Sequence, residues 1–248
     1  MSAPQRAALT VVEPATPGGE SARGAAPVRA VVAALEEDIV FGHLHPRERL
    51  VEDQLMLRFS AKRHVVREAL AELDRMGLVE RHPNRGAAVT DLTPEAVEHI
   101  YEMREMLEAA AFRRMPLPLD ADMIAALSEI QRRHDAAAAA GDLRALFRLN
   151  IEFHRVEFSA CGNPHLAAAI EQHGQKAHGI RSFAVARTGY AETAAREHWK
   201  IIRALKPGDR DKLIALSLRH IRASKISYIA AYRARFGEPG DAAPRPQP

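Results

Sequence analysis

Apolar residues recur along most of this chain at the spacing of helix faces, and only one short stretch reads as strands. From Val28 to Phe41 the positions Val31, Val32, Leu35, Ile39 and Val40 share one helical face, and Gly42 and Pro46 end it. A second short helix is predicted from Leu50 to Phe59. A third runs from near Ala61 to Met76, buried through Val65 or Val66, Leu70 and Leu73, and closed by Gly77. Leu78-Val-Glu-Arg81 and Ala87-Ala-Val-Thr90 read as two strands around a turn at Pro83-Asn-Arg-Gly86. Three helices followed by a β-hairpin is the pattern of a winged helix-turn-helix. Beyond Thr90–Pro94 only longer helices are predicted, over 95–114, 119–140, 142–160, 164–187, 191–206 and 209–235. Their breaks fall at Pro116 and Pro118, Gly141-Asp142, Gly162-Asn163-Pro164, Gly189 and Pro207-Gly208. The expected architecture is mainly α: an N-terminal winged helix-turn-helix over 27–91 and a C-terminal all-α helical bundle over 95–236. Residues 1–26 and 237–248, rich in Ala, Pro and Gly without apolar period, are expected to be disordered tails.

Composition narrows the class. With 47% hydrophobic and 27% charged residues among 248, the chain suits a soluble globular protein of one large domain or two modest ones. Only 5% are aromatic and Ala is abundant, which favours helix over sheet. A single Cys, Cys161, excludes an intrachain disulfide and fits a reducing cytoplasm. No apolar run approaches the ~18 residues of a membrane span, and the N-terminus lacks a signal-type apolar core. A pI near 9.2 points toward nucleic acid, but a net charge of +3 is too small to decide. The placement of the charges says more.

The third predicted helix opens with Lys62, Arg63, His64 and Arg67, with Arg58 just before it, and no acid falls between Asp53 and Glu68. Arg63 and Arg67, one turn apart, share a face and can enter a major groove together. Arg85 and Gly86 at the hairpin tip add a second contact suited to phosphate or minor groove. A solvated basic face is the plainer alternative for either feature alone; the two together favour double-stranded DNA as partner.

Several polar residues of the helical half face inward. His154 lies on the stripe Phe147, Asn150, Ile151, His154, Phe158; His198 precedes Ile201, Ile202 and Leu205; His220 shares a face with Ser217, Ile221 and Ser224. Asn150 sits one turn before His154, so both can reach a common spot. Pro207-Gly208 should fold the last two helices into a hairpin, placing His198 and His220 at nearly equal height at ~1.5 Å per residue. One inward histidine is best read as a satisfied core residue. Three on matched stripes, with an oxygen donor, make a divalent-metal site. Arg104, on the stripe Val97, Ile100, Arg104, Leu107, either pairs with Glu108 one turn on or grips an anion. His173, on the stripe Leu166, Ile170, His173, is a further candidate for the same cavity.

The stretch Leu50-Val-Glu-Asp-Gln-Leu, then Arg58-Phe59, Arg63-His-Val-Val-Arg-Glu-Ala-Leu70, Arg75-Met-Gly-Leu-Val79 and Asn84-Arg-Gly86 resembles the GntR family of regulators. It departs where Lys62, His64 and Val65 flank the first arginine, and where Arg47 follows Pro46 in place of the usual Gly. The helical half resembles the FCD-type sensor of the FadR-like subgroup, through Tyr101-Glu-Met-Arg104…Glu108, Asn150-x-x-Phe-His154, Cys161-Gly-Asn163, Glu197-His198, Gly208-Asp209 and His220. The resemblance implies a homodimer on a short pseudo-palindromic operator, and a repressor released by a small organic acid held by Arg104. It further implies a divalent ion (zinc, nickel or manganese) on Asn150, His154, His198 and His220 below that ligand. Asn150 stands where a carboxylate is usual and supplies oxygen without charge. A regulator in which the ion itself is the signal is the alternative, against which the inward Arg104 speaks. An enzyme is not expected: Glu152 and Glu197 lie off the inward stripes, leaving no general base, and the DNA-reading unit would go unused.

Overall fold

The computed structural model describes residues 27–82, 86–185 and 189–236; the expected tails and the turn residues Pro83, Asn84 and Arg85 lie outside them. Helix α1 (Val28–Val40) buries Val31 and Leu35 against α3 (Arg63–Arg75), which contributes Val66, Leu70 and Leu73, while α2 (Glu52–Phe59) adds Leu55. The helix expected from Leu50 begins later, because Arg49–Leu50 is a strand, β1, too short to show alternation in the sequence. It pairs antiparallel with β3 (Gly86–Val89), whose other edge takes β2 (Val79–His82), in the order β1-β3-β2.

Two turns explain sequence features of this unit. Gly77 follows α3 at φ +74°; its N–H bonds Asp74 O and that of Leu78 bonds Leu73 O, the left-handed C-terminal cap in which a Cβ is costly. A Cβ there would also stand 3.1 Å from Lys176 Cγ. Arg47, in the place of the family's glycine, holds φ 69°. That conformation costs about 1–2 kcal/mol for a residue with a Cβ. Its N–H bonds Val89 O at 2.9 Å, and its Nε bonds Asp91 Oδ2 at 2.6 Å.

Seven helices follow among the described residues, where about six were expected: α4 (Pro94–Arg114), α5 (Ala121–Ala140), α6 (Leu143–Ser159), α7 (Pro164–Lys176), α8 (His178–Val185), α9 (Tyr190–Leu205) and α10 (Arg210–Phe236). Thr93, Asp120, Asp142 and Asn163 cap four of them through their side chains. The expected 164–187 helix breaks at Ala177, whose N–H bonds Gly174 O three residues back. Gly174 and Gly179 bracket the break, and glycine is a poor helix former. α8 then packs on α1 and α10. Phe112, Leu127, Phe153, Ile201 and Leu205 fill the main core of the bundle, and Val97, Tyr101, Ile180 and Ile221 a second one.

Candidate functional site

The turn at Gly208 brings α9 against α10, so that His198 Nε2 and His220 Nε2 stand 3.2 Å apart. His154 joins from α6, and one ring nitrogen of each lies within 4.8 Å of the others. Each ring is held at Nδ1. Gln131 Nε2 donates to Asp135 Oδ1 at 2.7 Å, which turns its Oε1 toward His198 Nδ1, also 2.7 Å away. Trp199 Nε1 donates to the other oxygen of Asp135. His220 Nδ1 donates to Glu197 Oε2 at 2.9 Å, and His154 Nδ1 meets Glu157 Oε2 at 3.0 Å.

The Gln131 carbonyl fixes the tautomer of His198. With its proton on Nδ1, His198 presents the Nε2 lone pair to His220 Nε2, so a proton or a metal ion lies between the two nitrogens. Two imidazole nitrogens on one tetrahedral zinc would be about 3.3 Å apart, given Zn–N of about 2.0–2.1 Å. Burial, reinforced by the neighbouring His220, holds His154 and His198 well below 6.5, so both are neutral and able to ligate at neutral pH. Burial, then Glu108, pushes the Glu157 carboxyl well above its usual range, and its Oε1 has no hydrogen-bond partner. A buried acid lacking a counter-charge is what a divalent ion one imidazole away would satisfy. The donor set fits such an ion.

His154 also lines a cavity of about 1040 Å³, together with Arg104, Glu108 and Arg181. Arg104 is buried; its Nη2 donates to Glu108 Oε1 at 3.1 Å, and Ser217 Oγ donates to the other Glu108 oxygen. Its Cζ lies 4.8 Å from the Tyr101 ring centroid. Nε and Nη1 of Arg104 remain without a partner among the described residues. Burial, and then the Arg104 guanidinium, pushes Arg181 down to about 10, still cationic at neutral pH. Two guanidiniums facing one cavity, with unsatisfied N–H groups, form an anion site.

In the N-terminal unit, α3 carries Arg63 and Arg67 at its exposed front, directly after Lys62. His64 is exposed beside them, and Arg58 ends α2, paired with Asp38 at 2.6 Å. Gly86 opens β3 at φ +82°, while Arg85 lies outside the described residues. The three-helix unit with its wing is followed without interruption by the helical bundle. Residues 27–89 match the bacterial regulatory proteins of the gntR family, and residues 99–223 match the FCD domain.

The chain belongs to the GntR family, in its FCD-domain branch. Members of this family are transcriptional regulators, not enzymes. The chain is 28% identical to an uncharacterized HTH-type transcriptional regulator of Bacillus subtilis, YdhC, over 71% of its own length and 80% of the relative's. It is 24% identical to the HTH-type transcriptional repressor RspR of Escherichia coli, over 76% and 82%. Among solved structures it resembles E. coli McbR/YncC (TM-score 0.67, 20% identity, 83% of this chain and 98% of that one). A putative GntR regulator from Rhodococcus sp. RHA1 is similar to the same degree (TM-score 0.67, 22% identity, 83% and 99%). At these identities the structural likeness shows the fold. No helix among the described residues is long and apolar enough to cross a membrane.

Within this GntR regulator two expectations need correction. His173 does not line the large cavity: its Nδ1 bonds the Ala169 carbonyl at 2.9 Å, one turn back on its own helix. Asn150, one turn before His154 on α6, faces a second, small cavity with His134, Arg181 and Tyr190 and stays a candidate oxygen donor. Carboxylates do stand beside the histidines, since Glu197 reaches His220 from the edge of its stripe and Glu157 is buried against His154. Glu157 was findable, one turn beyond His154 and next to Phe158. Arg181 and His178 were hidden, because a continuous helix through Ala177 would give them different faces.

Proposed function

We propose that this GntR-family protein is a homodimeric, cytoplasmic repressor whose operator affinity falls when a small organic acid binds Arg104 and Arg181. The acid lies beside a divalent ion on His154, His198 and His220, with Asn150 as oxygen donor. Arg58, Lys62, Arg63, His64 and Arg67 meet the operator, and Arg85 and Gly86 meet it at the wing. One observation carries the effector reading: Arg104 Nε and Nη1 are buried without partners at the cavity that His154 also lines. Leaving a buried charged donor unsatisfied costs more than the ~1–3 kcal/mol of a neutral one, so a partner is required. A carboxylate supplies it. The ion, when bound, adds positive charge that favours the same anion. The relative RspR, named a repressor, supports the direction of control.

Metal content after loading with zinc, nickel or manganese, across wild type, His198→Ala and Asn150→Asp, tests the site. Wild type should hold one ion per chain, His198→Ala none, and Asn150→Asp should bind more tightly through its added charge. A panel of short mono- and dicarboxylates should lower wild-type affinity for a selected operator and leave Arg104→Met unmoved. No ion after loading, together with no acid that alters operator binding, would falsify the reading.

A further inference from the structure

The large cavity is not closed by the helical bundle alone. Val32, Ala33 and Glu36 of α1, a helix of the DNA-reading unit, form part of its wall. Glu36 is 4% exposed. Its Oε1 accepts from His178 Nδ1 on α8 at 2.7 Å, and its Oε2 from Arg148 Nη1 on α6 at 2.9 Å. Arg148 also donates to Glu37 Oε1 at 3.1 Å, and Arg144 pairs with Glu37 Oε2 at 2.7 Å. Acids on α1 thus meet bases on the sensor helices. Phe147 backs the junction, edge-on to His178 at 5.1 Å and to Phe41 at 6.2 Å.

A buried charged cluster is a poor choice for docking alone, since apolar side chains of similar volume do that as well or better. Its position gives it another use. Glu36, Arg148 and His178 line the same cavity as Arg104 and Arg181. The charges of Arg181 and Arg104 are felt at His178, which burial first of all keeps neutral. An anion held by Arg104 and Arg181 therefore sits in one chamber with the Glu36 carboxylate. It repels that carboxylate and competes for the same donors. Arg148 is 39% exposed and can swing toward it. α1 and α3 share one core through Val31, Leu35, Val66 and Leu70, so a displaced α1 carries α3 with it, Arg63 and Arg67 included.

We propose that Glu36 is the residue through which ligand occupancy is reported to the DNA reader: the anion loosens Arg148 and His178 from Glu36, and the reader leaves its DNA-competent position. This rests on the anion reading above. A ligand shifts such an equilibrium only by its differential affinity for the two states, and the coupling is reciprocal.

Glu36→Gln keeps the shape and removes the charge. Without any ligand it should lower operator affinity roughly five- to 150-fold, the range of known couplings. Succinate, the probe, should bind this variant more tightly than wild type and should no longer change its operator affinity. Glu36→Asp should restore part of the response. Arg148→Met, which spares the Glu36–His178 contact, should shift operator affinity in the same direction, which guards against misfolding of one variant. Wild-type operator affinity and wild-type succinate response in Glu36→Gln would overturn the proposal. If succinate binds neither protein, the anion reading fails, and the ligand-free operator affinity of Glu36→Gln still decides the role of Glu36.

Discussion

Arg63 and Arg67 are exposed by 52% and 61%, yet neither is free: Arg63 pairs with Asp53 at 2.6 Å and Glu52 at 3.1 Å, and Arg67 with Glu52 at 3.0 Å. Exposed pairs contribute about 0–1 kcal/mol, so exchanging them for base edges costs little while the guanidiniums are held extended. Arg63→Ala and Arg67→Ala should each weaken operator binding by about 1–3 kcal/mol. Glu52→Gln removes a negative charge near the DNA phosphates. It should raise non-specific affinity and steepen its salt dependence, so specificity falls. Fluorescence anisotropy on operator and scrambled DNA at several salt concentrations measures both; an unchanged, folded double arginine variant would remove α3 from the reading role. The sequence showed these arginines as an unopposed basic front because Glu52 and Asp53 lie a loop and more than two turns away along the chain. The histidine cluster was easier to read, since a helix face places residues with a fixed period and one tight turn matched two helices. The inward face of Arg104 followed from the same periodicity. What the His198 and His220 rings touch did not, because Gln131 and Glu197 reach them across helices at angles that periodicity leaves open.

At the scale of elements, the break between α7 and α8 matters most, because it turns His178 toward α1. Charged groups around His178 are Glu36 and Arg148 at the seam and Arg181 and Arg104 from the cavity. Burial holds His178 below its ordinary 6.5, with Glu36 pulling partly the other way. Above pH 6.5 the residue is neutral in folded and unfolded chains alike. Below it the unfolded chain takes a proton that the folded one refuses, so stability falls with falling pH, by at most about 1.4 kcal/mol per pH unit for this group. Burial opposes ionisation of Glu36, but His178 and Arg148 outweigh it and leave its carboxyl below 4.5; its stabilisation is lost only at lower pH. His178→Gln should therefore flatten the fall in stability just below pH 6.5 by one group's worth, while the Glu36 loss stays at lower pH through Arg148 and the amide donor of the new side chain. Denaturant midpoints across that range report it; equal slopes in wild type and variant would contradict the assignment. The helix boundaries were legible where a capping Asp, Asn or Thr stood next to a Pro or Gly. The kink at Ala177 has no such mark, and apolar period alone carried the helix through it.

At the scale of the whole molecule, one reading head is a weak instrument. A single α3 presents few base contacts, and each base pair is worth about 1–3 kcal/mol of discrimination. Two heads related by a two-fold axis double that number and require a pseudo-palindrome with half-sites set by their separation. The described residues of the helical bundle leave few large apolar side chains in water, and three of them, Met103, Met106 and Ile226, lie on α4 and α10. These two helices pack on each other and are cross-tied by Arg222–Glu105 and Lys225–Glu98. Ile226, 64% exposed, is the most open of the three, so a second copy covering α10 would bury it. Wild type should scatter light as a species of twice the 27.4 kDa chain mass. Ile226→Glu places a charge in that contact and should shift the protein toward monomer, with unchanged helix content and metal loading because the histidines lie inside each chain. On DNA it should protect one half-site, and only at higher concentration, where wild type protects two. A wild type that is monomeric both free and bound would end the dimer reading. A dimeric Ile226→Glu would move the interface off α10 and leave the two-headed operator intact.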